Sequence, residues 1–127
     1  MIRAVIVVVD DMFFVSKIRA TAKALGMVVG FPRGLEAFRA AVGEDLPHLI
    51  IVDLHHGKLN PMELAAELKA NERLSAVTLL GFFSHVETDL QRRAAQAGYD
   101  EVLPRSVFFR ELANILAGNR KSKEPGE

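Results

Sequence analysis

Two acidic signals in this sequence have the residue types and the spacing of a reactive site. Asp10 and Asp11 close the apolar run Val5 to Val9, and Asp53 closes a second run, Leu49 to Val52. If the two runs are neighbouring strands, three carboxylates converge in one crevice, where their mutual repulsion is relieved by raised pKa values or by a bound cation. Oxygen ligands with water access suit a hard ion, Mg²⁺ or Mn²⁺, held weakly because several waters stay on it. A lone Asp at such a place could equally open a helix, where the dipole favours negative charge. The acidic pair together with Asp53 argues for the site. His55, His56 and His85 form a second candidate set, but adjacent histidines usually point apart, so solvent-exposed side chains are expected there. No Gly-rich phosphate loop follows the first run, which argues against a dinucleotide or P-loop site.

The elements that must position these groups alternate along the chain. Val5 to Val9, Met27 to Phe31, Leu49 to Val52, Val77 to Phe82 and Glu101 to Leu103 read as strands. The first, third and fourth are continuously apolar, as strands covered on both faces should be. Helical spacing links Phe14, Ile18, Ala22 and Leu25, then Leu35 and Phe38, then Leu64 and Leu68. It returns at Leu90, Ala94 and Ala97, and again at Leu112, Ile115 and Leu116. Gly26 and Gly98 stand just past two of these helices, where a left-handed residue is wanted, and Asn60-Pro61 offers an N-cap followed by Pro in the first turn. Alternating strand and helix predicts a doubly wound (βα)5 α/β domain with a parallel sheet and right-handed crossovers. Ligands of such sheets bind outside the carboxyl ends of the strands, which is where the acids fall.

Composition narrows the function. With 127 residues, 50% hydrophobic and 25% charged, the chain fits one globular domain. Sixteen basic residues balance sixteen acidic ones, which argues against direct nucleic-acid binding, since that needs a basic surplus. There is no cysteine, hence no disulfide framework and no thiolate site. No apolar stretch approaches a membrane span and the start lacks a signal-peptide pattern, so a cytoplasmic protein is expected. The domain is expected over residues 1–118, with residues 119–127 as a flexible C-terminal tail.

Three segments in order, Val7-Val8-Val9-Asp10-Asp11, Ile50-Ile51-Val52-Asp53-Leu54 and Ala97-Gly98-Tyr99-Asp100-Glu101-Val102-Leu103, resemble the receiver domain of bacterial two-component response regulators, the CheY-like family. The resemblance spans about residues 1–118 and implies a flavodoxin-like five-stranded sheet in the order 2-1-3-4-5. It implies Asp53 as phosphoacceptor, Asp10 and Asp11 as the acidic metal pair, and the His55 backbone carbonyl as a further Mg²⁺ ligand. A carboxylate is a weak nucleophile toward phosphorus, so such transfer relies on positioning and on a cation that neutralises the equatorial oxygens.

Several positions depart from the family pattern. Arg105 stands where the family has a Lys that pairs with the phosphoryl group, and a planar fork does not replace a point charge conservatively. Ser106 follows it in place of the family's Pro. A gapless count places Phe83 at the small-hydroxyl position ending the fourth strand, with Ser84 one residue on, where strand alternation would turn it to the other face. Val102 replaces the aromatic that reorients on activation, and His55 to Pro61 replaces the usual hydrophobic-Pro-Gly turn. The expected function is a stand-alone receiver-like signalling domain of a phosphorelay, not an enzyme, whose partner is a sensor histidine kinase or another signalling protein. A phosphorylation-independent pseudo-receiver that binds partners is the alternative, and a metal-assisted hydrolase is the remaining one. The partner surface is expected on the fourth helix, fifth strand and fifth helix around Phe108 and Phe109, with an outward Phe in each of the pairs Phe82-Phe83 and Phe108-Phe109.

Overall fold

The computed structural model describes residues 5–118, so the tail expected over 119–127 lies outside the described residues. Strands β1 (Val5–Val8), β2 (Val29–Gly30), β3 (Leu49–Asp53), β4 (Thr78–Phe83) and β5 (Glu101–Pro104) form one sheet in the order β2-β1-β3-β4-β5. Every neighbouring pair is parallel. Helices α1 (Met12–Ala24), α2 (Leu35–Glu44), α3 (Pro61–Ala70), α4 (Thr88–Ala97), α5 (Arg105–Arg110) and α6 (Leu112–Ala117) cover both faces. The doubly wound flavodoxin-like architecture expected from the alternation is the one observed.

Successive side chains of a strand point to opposite faces, so each apolar run feeds two cores. Val5, Val7, Leu49, Ile51, Leu80 and Phe82 pack with Phe14 and Ile18 of α1 and with Phe108, Leu112 and Leu116 of α5 and α6. Ile6, Val8, Ile50, Val52 and Phe83 pack on the other face with Phe38 of α2, Leu64 and Leu68 of α3 and Ala94 of α4. Local chemistry marks the helix ends as expected. Asn60 Oδ1 accepts from the backbone N–H groups of Met62 and Glu63 at 3.0 and 3.2 Å, with Pro61 in the first turn of α3. Gly26 and Gly98 adopt φ of 69° and 124° after α1 and α4, values that favour glycine.

Three expectations need correction. The second strand is shorter than Met27 to Phe31, because only Val29 and Gly30 find partners on β1 at the sheet edge, and Pro32 cannot extend the ladder. The last helix begins at Arg105 rather than near Leu112 and bends at Glu111, where φ and ψ are −106° and 14°. Its apolar stripe includes Phe108, which lies one turn before Leu112. That stripe also moves the expected partner surface: Phe108 is fully buried, Phe109 is partly buried against the same core, and Phe82 and Phe83 are buried on opposite faces. No Phe of β4 faces solvent. The large apolar side chains exposed near the carboxyl edge of the sheet are Met12, Phe13 and Val86. Among the described residues no helix is long and apolar enough to cross a membrane.

Gly81, in the middle of β4, lets the segment after β3 pack closely. A Cβ there would stand 2.9 Å from Leu54 Cδ2 and 3.1 Å from Tyr99 Cδ2, both buried. Overpacking of this kind costs roughly 1–3 kcal/mol. Gly81→Ala should therefore lower the unfolding free energy from urea titration by that amount, and Leu54→Ala in the same chain should recover part of the loss. Additive losses in the double variant would contradict the contact.

Candidate functional site

The acids emerge where the strands run out of apolar neighbours. Asp53 is the last residue of β3, and Asp10 and Asp11 follow β1 after Val9. These three residues line one cavity of about 320 Å³ at the carboxyl edge, together with Phe14, His55, Ser84, His85 and Arg105. Of the candidate residues read from the sequence, Asp10, Asp11, Asp53, His55, Ser84, His85 and Arg105 share this cavity, whereas His56 does not line it.

Each carboxylate has a different local attachment. Asp53 is the one charged side chain that is buried among the described residues, and its Oδ1 accepts from the His55 N–H at 2.8 Å. Burial raises the Asp53 pKa above its ordinary value, and this outweighs the lowering from the His55 N–H bond. Asp10 adds to the rise, while neighbouring His55 works against it. Asp11 is the N-cap of α1, its Oδ1 accepting from Phe13 and Phe14 N–H at 2.8 and 3.2 Å, so it also plays the helix-opening role. Asp10 Oδ2 accepts from the Gly57 N–H at 3.3 Å, which ties it to the loop after β3.

That loop is organised by a residue whose type gave no warning. The His56 side chain is 3% exposed, and its Nδ1 accepts from the N–H groups of Lys58 and Leu59, both at 3.0 Å. A nitrogen that accepts two such bonds carries no proton, so its 3.9 Å approach to Asp10 Oδ2 is not an ion pair through that atom. Sequence reasoning missed this role because histidine has no turn preference comparable to that of Asn or Asp. His55 and His85 do come together, with ring centroids 5.4 Å apart and planes at 76°. They stand at the cavity wall beside the acids, with His85 exposed, while the adjacent His55 and His56 point apart as expected, each lining a different cavity.

Ser84 and Arg105 supply the remaining groups. Ser84 lies just past the end of β4, in a bend, so strand alternation does not turn it away, and it lines the cavity. Phe83, which the gapless count put at the hydroxyl position, is buried on the opposite face. Arg105 opens α5 and places its guanidinium 5.8 Å from the Phe14 ring centroid. Phe14 in turn belongs to a cluster beneath the cavity, in which Phe82 stacks on Phe108 at 4.5 Å and Phe14 meets Phe109 at 5.2 Å.

The donor set fits a hard cation with a large water share. Among the described residues, Asp10 Oδ1, Asp11 Oδ2 and Asp53 Oδ2 accept no hydrogen bond, so each carboxylate keeps one oxygen for an ion. No three His, Cys, Asp or Glu side chains among the described residues are close enough to form a ready ligand cage. Mg²⁺, which dehydrates reluctantly and accepts few protein ligands, suits such an arrangement.

With this geometry in hand, solved structures show close counterparts of the whole chain. A chemotaxis response regulator of Vibrio cholerae superposes with a TM-score of 0.79 at 13% identity, over 94% of this chain and 100% of the other. A response-regulator signal receiver domain from Bermanella marisrubri gives 0.78 at 18% identity, over 93% and 98%. This is the receiver-domain fold. A response regulator from Burkholderia pseudomallei, solved with a phosphorylated aspartic acid, a calcium ion and citrate, gives 0.74 at 19% identity over 88% of this chain and 65% of that one. No protein-family model and no curated protein sequence matches the chain. Identity this low carries the receiver fold alone, and the roles of individual residues rest on the geometry above.

Two outcomes follow from this electrostatic arrangement. Because the fold raises the Asp53 pKa, its ionised form opposes folding above that pKa, and the penalty fades as pH falls and the group protonates. In metal-free buffer Asp53→Asn, which keeps an acceptor for the His55 N–H, should stabilise the protein by on the order of 1 kcal/mol at pH 7.5. The gain should shrink toward pH 4, and a pH-independent difference in urea unfolding would contradict it. Asp11 separates cap from charge. Asp11→Ala should cost about 1 kcal/mol of stability, whereas Asp11→Asn should keep the cap. Both should weaken Mn²⁺-induced broadening of nearby amide signals.

Proposed function

We propose that this chain is a receiver-like signal-transduction domain in which Asp53 accepts a phosphoryl group from a sensor histidine kinase or a small phosphodonor. The observation that carries the reading is the placement of a buried, strand-ending Asp53 in one cavity with Asp10, Asp11, Ser84 and Arg105. In the transfer, a carboxylate oxygen of Asp53 bonds to phosphorus as the phosphorus–nitrogen bond of a phosphohistidine, or the phosphorus–oxygen bond of an acyl phosphate, breaks. The leaving group departs with that bond's electron pair. Asp10, Asp11 and the His55 carbonyl would hold Mg²⁺, which neutralises the equatorial oxygens. Arg105 supplies a donor fork to the phosphoryl oxygens, and Ser84 offers a hydroxyl. Burial raises the pKa of Asp53, so its ionised form would gain from a cation held beside it.

A phosphorylation-independent interaction module is the second reading, and one feature favours it. Val102 pairs with Gly81 and packs, partly buried, against the α2–α3–α4 core. The mobile ring of a switching receiver therefore has no counterpart at that position. For a hydrolase reading His56 is not available as a base, because it is fixed as the acceptor of the loop and shielded from solvent, which leaves His55 and His85 as the candidates.

Incubation with acetyl phosphate and Mg²⁺ separates the readings. Intact-mass spectrometry should show one added phosphoryl group, absent in Asp53→Asn. Arg105→Ala should slow labelling by about tenfold, the loss of one charge-assisted contact, and Arg105→Lys, which keeps the charge without the fork, should slow it less. No labelling at any Mg²⁺ concentration would leave the interaction module as the function.

A further inference from the structure

A second cavity, of about 170 Å³, opens on the other side of Asp10, between α1, the end of β2 and the loop after β3. Arg19, Arg33 and Lys58 line it above an apolar floor that includes Met12, Val15 and Phe31. Asp10 and His56 complete the wall it shares with the phosphoacceptor region. None of the three cations makes an ion pair or donates a side-chain hydrogen bond among the described residues. Most of the other described arginines are engaged: Arg39 with Glu67, Arg92 and Arg93 with Asp89, Arg110 with Glu111, and Arg73 with the Val42 carbonyl, while Arg105 lies at the other cavity against Phe14. In a chain with no net charge, three uncompensated cations around one concavity are a local excess.

The cavity is also ordered. The Arg19 guanidinium carbon lies 4.8 Å from the centroid of the Phe31 ring, within cation–π range, and among the described residues its N–H groups donate to no partner. A guanidinium held in this way loses little freedom when it grips an oxyanion bidentately. Charge selects among anions. Three positive groups facing Asp10 leave an excess of two, which a phosphate dianion neutralises and a carboxylate does not. Size favours small ligands, since the cavity offers only about 170 Å³. That is well below the roughly 300 Å³ at which pockets for nucleotide-sized molecules begin.

We propose that this cavity binds a small organic phosphate ester, its phosphate held by Arg19, Arg33 and Lys58 and its few-carbon apolar part lying on Met12, Val15 and Phe31. The site is separate from the phosphoacceptor cavity, and the proposal does not depend on whether Asp53 is phosphorylated. Occupancy would bring a second negative group beside Asp10, from which the two cavities share a wall, and so couple ligand level to cation binding on the other side.

The test is a titration of isotope-labelled protein with phenyl phosphate in metal-free buffer, followed by NMR. The Arg19 and Arg33 Nε signals and the Phe31 and Lys58 amides should shift at millimolar ligand, while Ser84 and Arg105 should not. Arg33→Glu and Lys58→Glu, both at exposed positions, should each weaken binding by about tenfold. Asp53→Asn should bind as the parent does, and inorganic phosphate should bind several-fold more weakly. Shifts confined to Ser84 and Arg105, or affinity unchanged by both charge reversals, would overturn the site. Equal affinity for inorganic phosphate would overturn the role of the apolar floor.

Discussion

Because helices cover both faces of the sheet, β1 and β3 carry only apolar side chains until they reach the carboxyl edge. Each buried Val or Ile there contributes about 1.5–3 kcal/mol relative to an exposed one, and a charge among them would have no partner and no water. The polar chemistry of the protein is therefore pushed to the few residues beyond the strand ends, and the parallel arrangement sends all of those ends to the same side. Asp10, Asp11, Asp53 and Ser84 share a cavity for this reason. The close pairing of Asp53 with the Phe82 end of β4 has the same origin.

Asp53 sits on the boundary between these two regimes. It belongs to the ladder through its backbone and to the cavity through its carboxylate, so it is desolvated without being neutralised. The His55 N–H offsets part of that cost but donates to only one of the two oxygens. Such a group is poised to gain from a cation, from a proton, or from covalent attachment. The loop after β3 is built to keep it that way: His56 closes the turn from inside and Gly57 reaches Asp10, so the loop is held without touching the second oxygen of Asp53.

The apolar periodicity made the fold legible, since continuous runs such as Ile50-Ile51-Val52 admit few alternatives to a two-sided parallel sheet. The acids were legible because they interrupt those runs abruptly. Ser84 was harder to place. A count along the chain assumes that the strand continues, whereas β4 ends at Phe83 and the bend beyond it frees the next side chain to face the cavity. Phe108 was misplaced for the opposite reason. Two adjacent phenylalanines near the end of a chain look like a surface feature until the helix is extended back to Arg105, which sets Phe108 in line with Leu112 and Ile115. The His56 clasp carried no signal at all, because an imidazole acting as a double acceptor depends on a loop shape that no local preference encodes.

Tyr99 holds the rim of α3 from the far side of the sheet's inner core. It is buried, and its hydroxyl donates to the Pro61 carbonyl at 2.8 Å, joining the first turn of α3 to the segment that leads into β5. It is also the single tyrosine of a chain without tryptophan. Burial pushes its phenol well above the usual range, so the native protein withholds its proton from alkaline solvent. Tyrosine emission from this chain is thus a one-residue signal, and the alkaline absorbance of phenolate reports the exposure of Tyr99 from this core.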